Sequence, residues 1–233
     1  MDLQQRVTLA GALAPLKALG WTPGAIIDIG VATGTSGLYS VWPGTPICLV
    51  EPSPQARPYL EEIAARFPQV KVYNVAASSA SGEVAGTHHP SRPNAVIGEA
   101  KPNWPRASFP AMTCDEIVAD AGLSPPFLYK LDTDTHELEI LDGSAATLGQ
   151  TDVCVVEVNV FYPRRGLATP DAIWRRLHDA GFAFFDMIGG GYGETGVLRC
   201  ADMLFVKSSS ALFKWADKRS PKAADTLGDR LMV

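Results

Sequence analysis

Apolar and polar positions along this chain form blocks that predict a sheet with helices between its strands. Short continuous apolar runs are typical of buried parallel strands, and apolar residues at helical spacing are typical of amphipathic helices. The expected strands are residues 25–29, 46–50, 70–75, 127–132, 153–158, 182–188 and 203–206. Their alternation with helical segments predicts an α/β fold with a doubly wound, mostly parallel sheet.

The predicted helices begin at residue types that favour a helix start and end near glycine. Ser53-Pro54 and Thr169-Pro170 each place a capping side chain before a proline, which suits the first helical position. The expected helices are residues 3–19, the segment after Ser53, residues 113–121, the segment 138–148 and residues 170–180. No helical pattern separates the last two strands, so we expect the last strand to run antiparallel.

Two segments lack a periodic pattern. Residues 82–109 are rich in Gly, Pro, His and Asn, which predicts a long irregular loop of the kind that often serves function. From residue 208 the chain turns polar, which predicts a loosely packed C-terminal tail over 208–233. Residues 1–207 are then expected to form a single domain.

Composition narrows the functional class. The chain has 233 residues, 46% of them hydrophobic, and a formal net charge of −5, so it has no basic footprint for nucleic acid. No apolar run is long enough to span a membrane, and no secretory signal is recognised. The four cysteines are scattered without metal-ligand spacing. We therefore expect free thiols, a cytoplasmic protein and a small-molecule partner, with the oligomeric state left open.

The segment AIIDIGVATGTSGLYSVWPGTPICLVEP carries the first chemical signal. Asp28 lies in the first strand, Gly30 and Gly34 form a turn after it, and Glu51 ends the second strand. Glycines let a backbone approach a ligand closely, and an acid at the end of the second strand suits a pair of ribose hydroxyls. The spacing is not G-x-G-x-x-G, and an acid before the turn suits a cationic cofactor. S-adenosylmethionine has that character, and NAD is the second interpretation.

Further motifs resemble the FkbM-type S-adenosylmethionine-dependent methyltransferases. They occur in the family's order as IIDIGVATG, LVEPSP, NVAASSASG, MTCDEIV, LYKLDTDTHELEILDGS, VVEVNVFYP and GGGYGETGVLRCADMLFVK. The most specific lies between Lys130 and Gly143 and is similar to the signature K-x-D-x-x-x-x-E-x-x-x-L-x-G. The resemblance covers residues 19–206. It implies the class I methyltransferase fold, a seven-stranded sheet with an antiparallel last strand, and a hydroxylated small molecule such as a sugar or secondary metabolite as methyl acceptor.

This interpretation assigns residues to a cofactor wall. Glu51 is the expected ribose acceptor, and the small side chains of Ala76 and Ala77 leave space beside the adenine. The expected cofactor residues are Asp28, Gly30, Val31, Gly34, Glu51, Pro52, Ala76, Ala77 and Asp132.

A second group is expected where the methyl group meets its acceptor. Lys130, Asp132 and His136 follow one another at the end of the fourth strand and are the catalytic candidates. Transfer to a hydroxyl needs a base, which Asp132 or His136 could supply, or a metal ion that acidifies the hydroxyl. Oxygen ligands from Asp132, Glu157 and Asn159 are the metal alternative, so a divalent cation stays open and a metal-free site is favoured. His88, His89, Asn94 and Glu157 are the candidates for acceptor binding.

Two departures from the family pattern keep other functions open. Val31-Ala32 stands where the family usually has Ala-Asn, and Thr135-His136 stands where it often has glycine before an aromatic residue. Both departures flank the expected active site. They motivate a second hypothesis, a non-catalytic binding module with the same fold. A nicotinamide-dependent oxidoreductase is the third.

Overall fold

The computed structural model describes residues 7–98, 101–134, 136–160 and 168–212 of the chain. Its central sheet has seven strands in the order β10-β11-β9-β8-β1-β2-β3. The seven strands are β1 (Ala25–Ile29), β2 (Ile47–Val50), β3 (Val70–Tyr73), β8 (Phe127–Leu131), β9 (Thr151–Asn159), β10 (Phe182–Tyr192) and β11 (Leu198–Lys207). The α/β class and the mostly parallel sheet are therefore confirmed.

The five neighbouring strands from β9 to β3 all run in the same direction. Neighbouring pairs among β1, β2, β3, β8 and β9 are parallel, whereas β11 pairs antiparallel with both β9 and β10. Strands β1, β2 and β8 are buried at every position. Helices and loops cover both faces of these strands, which explains why their sequences read as continuous apolar runs.

Seven α-helices lie wholly within the described residues, one before β1 and six between strands. They are α1 (Leu9–Ala18), α2 (Ser36–Tyr39), α3 (Arg57–Arg66), α4 (Cys114–Ala121), α5 (Glu137–Asp142), α6 (Ala145–Gly149) and α7 (Pro170–Asp179). Thr8 caps α1 by accepting from the Gly11 amide at 3.1 Å, and Thr169 caps α7 in the same way. The helical segment expected after Ser53 does begin at Pro54, but its first turn, Pro54–Ala56, is a 3₁₀ helix that runs into α3. The Ser53 hydroxyl donates to Gln55 instead of capping it.

The irregular loop expected over 82–109 is also wrong, because this segment forms most of a second sheet. The sheet has the order β4-β7-β5-β6, with β4 (Ala76–Ala77), β5 (Gly82–His88), β6 (Ala95–Ile97) and β7 (Arg106–Met112). Its own core is small and consists of Ala76, Ile97 and Phe109. Because most of its positions are exposed or half-buried and are interrupted by glycine and proline, the strands lack the apolar alternation that would have revealed them.

The hydrophobic core lies on both faces of the central sheet. One cluster packs β1, β8 and β9 against α4 to α7, and the other packs the opposite face against α1 to α3. All four cysteines are free thiols, and Cys48, Cys114 and Cys154 are buried in the first cluster. Within the described ranges, no helix is long and apolar enough to cross a lipid bilayer.

The predicted polar tail lies mostly outside the described residues, which end at Leu212. The first residues after β11 are described and are not all loosely packed. Ser210 and Leu212 are 7% and 4% exposed. Leu212 packs into the core cluster that contains α1.

Two contacts fix the helices that follow β8. The carboxylate of Asp115, in the motif MTCDEIV, accepts from the amides of Ala146 and Thr147 at 2.9 and 2.7 Å and so caps α6. Gly143 ends the K-x-D signature, and a Cβ there would lie 2.1 Å from the carbonyl oxygen of Ser78. The signature glycine therefore lets α5 pack against the chain that follows β4.

We predict that Gly143→Ala destabilises the fold. The added methyl group overlaps backbone rather than a flexible side chain, so the free energy of unfolding should fall by about 1–3 kcal/mol. Gly149→Ala is the matched control, because nothing lies within 4 Å of its Cβ position. The control should leave stability unchanged or raise it by up to about 1 kcal/mol. Urea unfolding of both variants measures the difference, and equal stability would refute the packing role.

Candidate active site

A cavity of about 470 Å³ opens at the carboxyl ends of β1, β2 and β8. Part of the cavity wall comes from the second sheet. Ala95 and Ile97 of β6 line the cavity, and so does Asn94, which directly precedes β6. The predicted site residues on its wall are Gly30, Val31, Gly34, Glu51, Pro52, Ala76, Ala77, Asn94, Lys130, Asp132 and His136. The sequence analysis did not select Leu9, Ala32, Thr33, Thr35, Pro93, Thr133, Asp134 and Asp202, which also line it.

The glycine turn after β1 is required by close packing. Gly30 has φ +80°, and a Cβ there would lie 1.7 Å from the carbonyl oxygen of Asp132. Gly34 has φ +105°, and a Cβ there would lie 2.7 Å from the Ile63 side chain. The turn can therefore lie directly against the end of β8, so the first loop and the loop that holds Asp132 meet in one cavity.

Glu51 holds this turn in place from the cavity wall. It is 4% exposed, and its two carboxylate oxygens accept from the amides of Ala32 at 3.0 Å and Ser53 at 2.8 Å. Burial raises the pKa of Glu51 to about 7, although both amides favour the ionised form. Each oxygen retains a second lone pair, so the carboxylate can hold the loop and still accept from a ligand hydroxyl.

Asp28 lies beneath the turn and not on the cavity wall. It is fully buried, and the Tyr39 hydroxyl donates to one of its oxygens. Its other oxygen, Oδ1, has no hydrogen-bond partner among the described residues. Burial raises the pKa of Asp28, while Lys130 and Tyr39 oppose that shift. Asp28 therefore supports the turn from beneath, and direct ligand contact stays a prediction.

Lys130 and Asp132 form the best-defined ion pair of the site. The Lys130 side chain is 4% exposed, and its Nζ lies 2.8 Å from Asp132 Oδ2. Burial alone would lower the pKa of Lys130, but the carboxylates of Asp28 and Asp132 outweigh it and raise the pKa. The ammonium therefore keeps its proton, and Asp132 lies beside it on the cavity wall.

Glu157 and Asp202 extend this group of acids across the sheet. Burial together with the neighbouring charge of Asp132 raises the pKa of Glu157 to about 8. Asp202 is paired with Glu157 in the register of β9 and β11. Asp202 lines the cavity and Glu157 does not. The alternation of β11 could have identified Asp202, but its partner strand becomes known only from the sheet order.

His136 reaches the cavity from the start of α5. Its Nε2 lies 3.0 Å from Ser78 Oγ, and Nδ1 lies 3.7 Å from a carboxylate oxygen of Glu139. Burial lowers the pKa of His136, and Glu139 opposes this shift. The ring is therefore neutral near pH 7 and can accept a proton. The neighbouring Thr135, where the family often has glycine, lies outside the described residues.

His88 and His89 do not line the cavity, and their contact with an acceptor stays a prediction. Each has a local role instead. His88 Nδ1 lies 3.2 Å from Gln55 Nε2 and ties the second sheet to the turn before α3. His89 Nδ1 accepts from the amides of Ser91 and Arg92, and its ring packs edge-on against Trp104. Of the residues predicted in this segment, Asn94 is the one on the cavity wall.

The alternative cation site over Asp132, Glu157 and Asn159 gains no support from the geometry. Throughout the described parts of the chain, no group of three or more His, Cys, Asp or Glu side chains is arranged to hold a metal ion. Lys130 already supplies a cation to Asp132, at 2.8 Å.

Comparison with known families agrees with this geometry. The family described as the methyltransferase FkbM domain matches residues 28–184. The chain belongs to the FkbM methyltransferase family. It is therefore an S-adenosylmethionine-dependent methyltransferase. The matched range begins at Asp28 and includes the glycine turn, Glu51 and the signature from Lys130 to Gly143.

Solved structures show the same fold at low sequence identity. A methyltransferase FkbM from Methylobacillus flagellatus KT superposes with a TM-score of 0.53 and 14% identity, covering 78% of this chain and 43% of that one. This FkbM-type chain thus spans less than half the length of that protein. The N-methyltransferase NodS from Bradyrhizobium japonicum WM9 superposes with a TM-score of 0.51 and 10% identity, covering 88% and 98% of the two chains. A comparison with curated protein sequences finds no significant match.

We predict that Glu51→Gln weakens binding of S-adenosylhomocysteine by about 1–3 kcal/mol, the range for a lost hydrogen bond to a charged group. The glutamine amide nitrogen cannot accept from a ribose hydroxyl. Calorimetry measures the loss, and Glu61→Gln, at an exposed position of α3, is the control.

A ligand lacking both ribose hydroxyls separates this contact from a general loosening of the loop. Adenosine should lose affinity in Glu51→Gln, whereas 2′,3′-dideoxyadenosine should bind wild type and variant alike. An equal loss for both nucleosides would assign Glu51 to the loop alone.

Proposed function

We propose that this FkbM-type methyltransferase transfers the methyl group to a hydroxyl oxygen of a small molecule. The observation that carries this proposal is the single cavity that joins two different walls. One wall has the glycine turn, Glu51 and the small residues after β3. The other has a carboxylate and a neutral imidazole, which are the groups that proton transfer needs.

The first wall suits S-adenosylmethionine. The cavity's volume of about 470 Å³ lies within the usual range for cofactor pockets. A second lone pair on each Glu51 oxygen supports a contact with the ribose hydroxyls, and the small Ala76 and Ala77, which are 2% and 3% exposed, favour space for a base. When bound, the cofactor supplies a methyl group on a sulfonium that leaves as a neutral thioether.

The second wall suits an acceptor that must lose a proton. The acceptor oxygen forms its bond to the methyl carbon as the sulfur–carbon bond breaks, and its proton passes to a base. Asp132, which accepts a hydrogen bond from Lys130, and His136, kept neutral by burial, are the candidates on the wall. Holding the acceptor in line with the methyl group supplies much of the rate enhancement.

An amine acceptor is the second candidate. Asp132, Glu157 and Asp202 make this end of the cavity acidic, and an acidic site favours a protonated amine. An amine would also need to lose its proton to the same bases. A hydroxyl is the first candidate because its proton is the harder to remove, and two bases face the cavity.

We predict that the chain binds S-adenosylhomocysteine with a dissociation constant in roughly the micromolar range and does not bind NADH. The acid-braced glycine turn lacks the spacing that places a pyrophosphate on a helix end. Isothermal calorimetry with each ligand checks this. Saturable NADH binding without a response to S-adenosylhomocysteine would favour the oxidoreductase hypothesis instead.

We predict that Asp132→Asn and His136→Ala each lower methyl transfer about 10²- to 10⁴-fold if they act as bases, with little change in affinity for S-adenosylhomocysteine. Transfer of a radiolabelled methyl group to a panel of hydroxylated and amino compounds identifies the acceptor first. His178→Ala is the control, because His178 is 74% exposed on α7.

Adding EDTA to the same assay tests whether a divalent cation, rather than a protein base, activates the acceptor. Activity that survives EDTA supports the protein bases, and activity restored only by magnesium supports a cation instead. A variant that combines Asp132→Asn with His136→Ala and still transfers methyl groups fully in EDTA would contradict both the protein-base and the metal-ion mechanism. Binding of S-adenosylhomocysteine with no transfer to any compound would favour the binding-module hypothesis.

A further inference from the structure

The turn after β1 contributes every residue from 30 to 35 to the cavity wall. Its backbone is unusual, because Gly30, Ala32 and Gly34 have φ angles of +80°, +48° and +105°. An alanine holds such a left-handed conformation only when its surroundings impose it. The shape of this wall therefore depends on contacts that hold the turn from outside.

Two buried side chains supply those contacts. Glu51 binds the amide of Ala32 at 3.0 Å, in the middle of the turn. Tyr39 acts at its far end, where the Thr35 amide donates to the Tyr39 hydroxyl at 3.2 Å. The same hydroxyl donates to Asp28 Oδ2. Because a phenol can donate and accept at once, Tyr39 bridges the last residue of the turn to the strand that precedes it.

The ring of Tyr39 is fixed by packing. Tyr39 is the last residue of α2 and is 1% exposed. Its ring meets that of Phe67 edge-on, with the centroids 5.6 Å apart. The ring also lies against the turn, since a Cβ at Gly34 would be 3.9 Å from it. A closely packed interior leaves the ring little freedom, so its hydroxyl has a defined position.

The bridge satisfies polar groups that have few other partners. Asp28 is fully buried, and its Oδ1 has no hydrogen-bond partner among the described residues. Without the Tyr39 hydroxyl, Oδ2 loses its donor and the Thr35 amide loses its acceptor. Buried groups left in this state are costly, so conformations in which the turn moves to regain partners become more favourable.

We propose that Tyr39 is a positioning residue that orders the turn for the cofactor. It acts through Thr35 and Asp28, and it is not part of the cavity wall. The bridge keeps the free protein in the binding conformation, so the ligand does not have to order the turn when it binds. This role rests on the proposed function, which assigns the first wall to S-adenosylmethionine, and it is independent of the acceptor.

Calorimetry with S-adenosylhomocysteine on the full chain tests the proposal with a matched pair of variants. Tyr39→Phe removes the hydroxyl and keeps the ring. Tyr129→Phe is the control, because Tyr129 is also fully buried, its hydroxyl lies 2.9 Å from Ser144 Oγ, and it is not on the cavity wall. Affinity should fall at least about tenfold in Tyr39→Phe and stay within about twofold in Tyr129→Phe. Urea unfolding of both variants checks that they fold.

Amide hydrogen exchange supplies a readout that a general loss of stability does not reproduce. The Thr35 amide should exchange at least about tenfold faster in Tyr39→Phe than in the wild type. The amide of Ala172, which Thr169 caps on α7, should keep its rate. In Tyr129→Phe, Thr35 should exchange as in the wild type.

Several results would overturn the proposal. A Thr35 amide that is unprotected in the wild type would refute the bridge, whether or not Tyr39→Phe folds. Wild-type affinity in a folded Tyr39→Phe would reduce the bridge to a structural role. An equal loss of affinity in Tyr129→Phe would assign the effect to overall stability.

Glu51→Gln, measured alongside, separates this proposal from the proposed function. Weaker binding in Glu51→Gln with unchanged binding in Tyr39→Phe would keep the first wall and refute the role of Tyr39. A wild type that binds and is affected by neither change would place the cofactor elsewhere and refute both. A wild type that does not bind, with Thr35 still protected by Tyr39, would refute the proposed function and leave Tyr39 as the group that orders the turn.

Discussion

The site depends on one backbone contact, between the turn after β1 and the end of β8. Gly30 lies so close to the carbonyl of Asp132 that a Cβ would be 1.7 Å from its oxygen. The Asp132 amide in turn donates to Ile29 at 3.0 Å, which extends the pairing of the two strands by one residue. Because of this contact, the loop that suits the cofactor and the loop that carries Asp132 form two walls of one cavity.

Burial then determines the electrostatics of those walls. Glu51, Asp28 and Lys130 are all less than 5% exposed, and an isolated charge in such surroundings is costly. The fold satisfies Glu51 with two backbone amides and Lys130 with carboxylates, whereas Asp28 keeps one oxygen unpartnered. Charges that are balanced within the fold are held in place, so little reorganisation is needed when a reaction develops charge beside them.

The structure shows the physical consequences of the two departures from the FkbM pattern. Ala32, where the family usually has asparagine, has φ +48°, a left-handed conformation that asparagine tolerates better than alanine. The turn keeps this conformation because the Ala32 amide is bound by Glu51. His136, where the family often has an aromatic residue, faces the cavity and adds a base to it. The first departure is compatible with an ordered cofactor loop, and the second changes the chemistry available to the acceptor.

The sequence by itself determined the strands of the central sheet, most of the helices around it and most of the first wall, but it did not predict α2 or the division of the segment 138–148 into α5 and α6. Continuous apolar runs and the turn glycines are local signals, and the ordered motifs added the family. The second sheet was missed, because its short, half-exposed strands are stabilised by pairing with distant segments rather than by their own pattern. Asp202 was missed for the same reason: only the pairing of β11 with β9 brings it beside Glu157. His88 and His89 lie off the cavity wall, which the sequence did not show, because residue type shows what a side chain can do, whereas the tertiary structure decides which groups it faces.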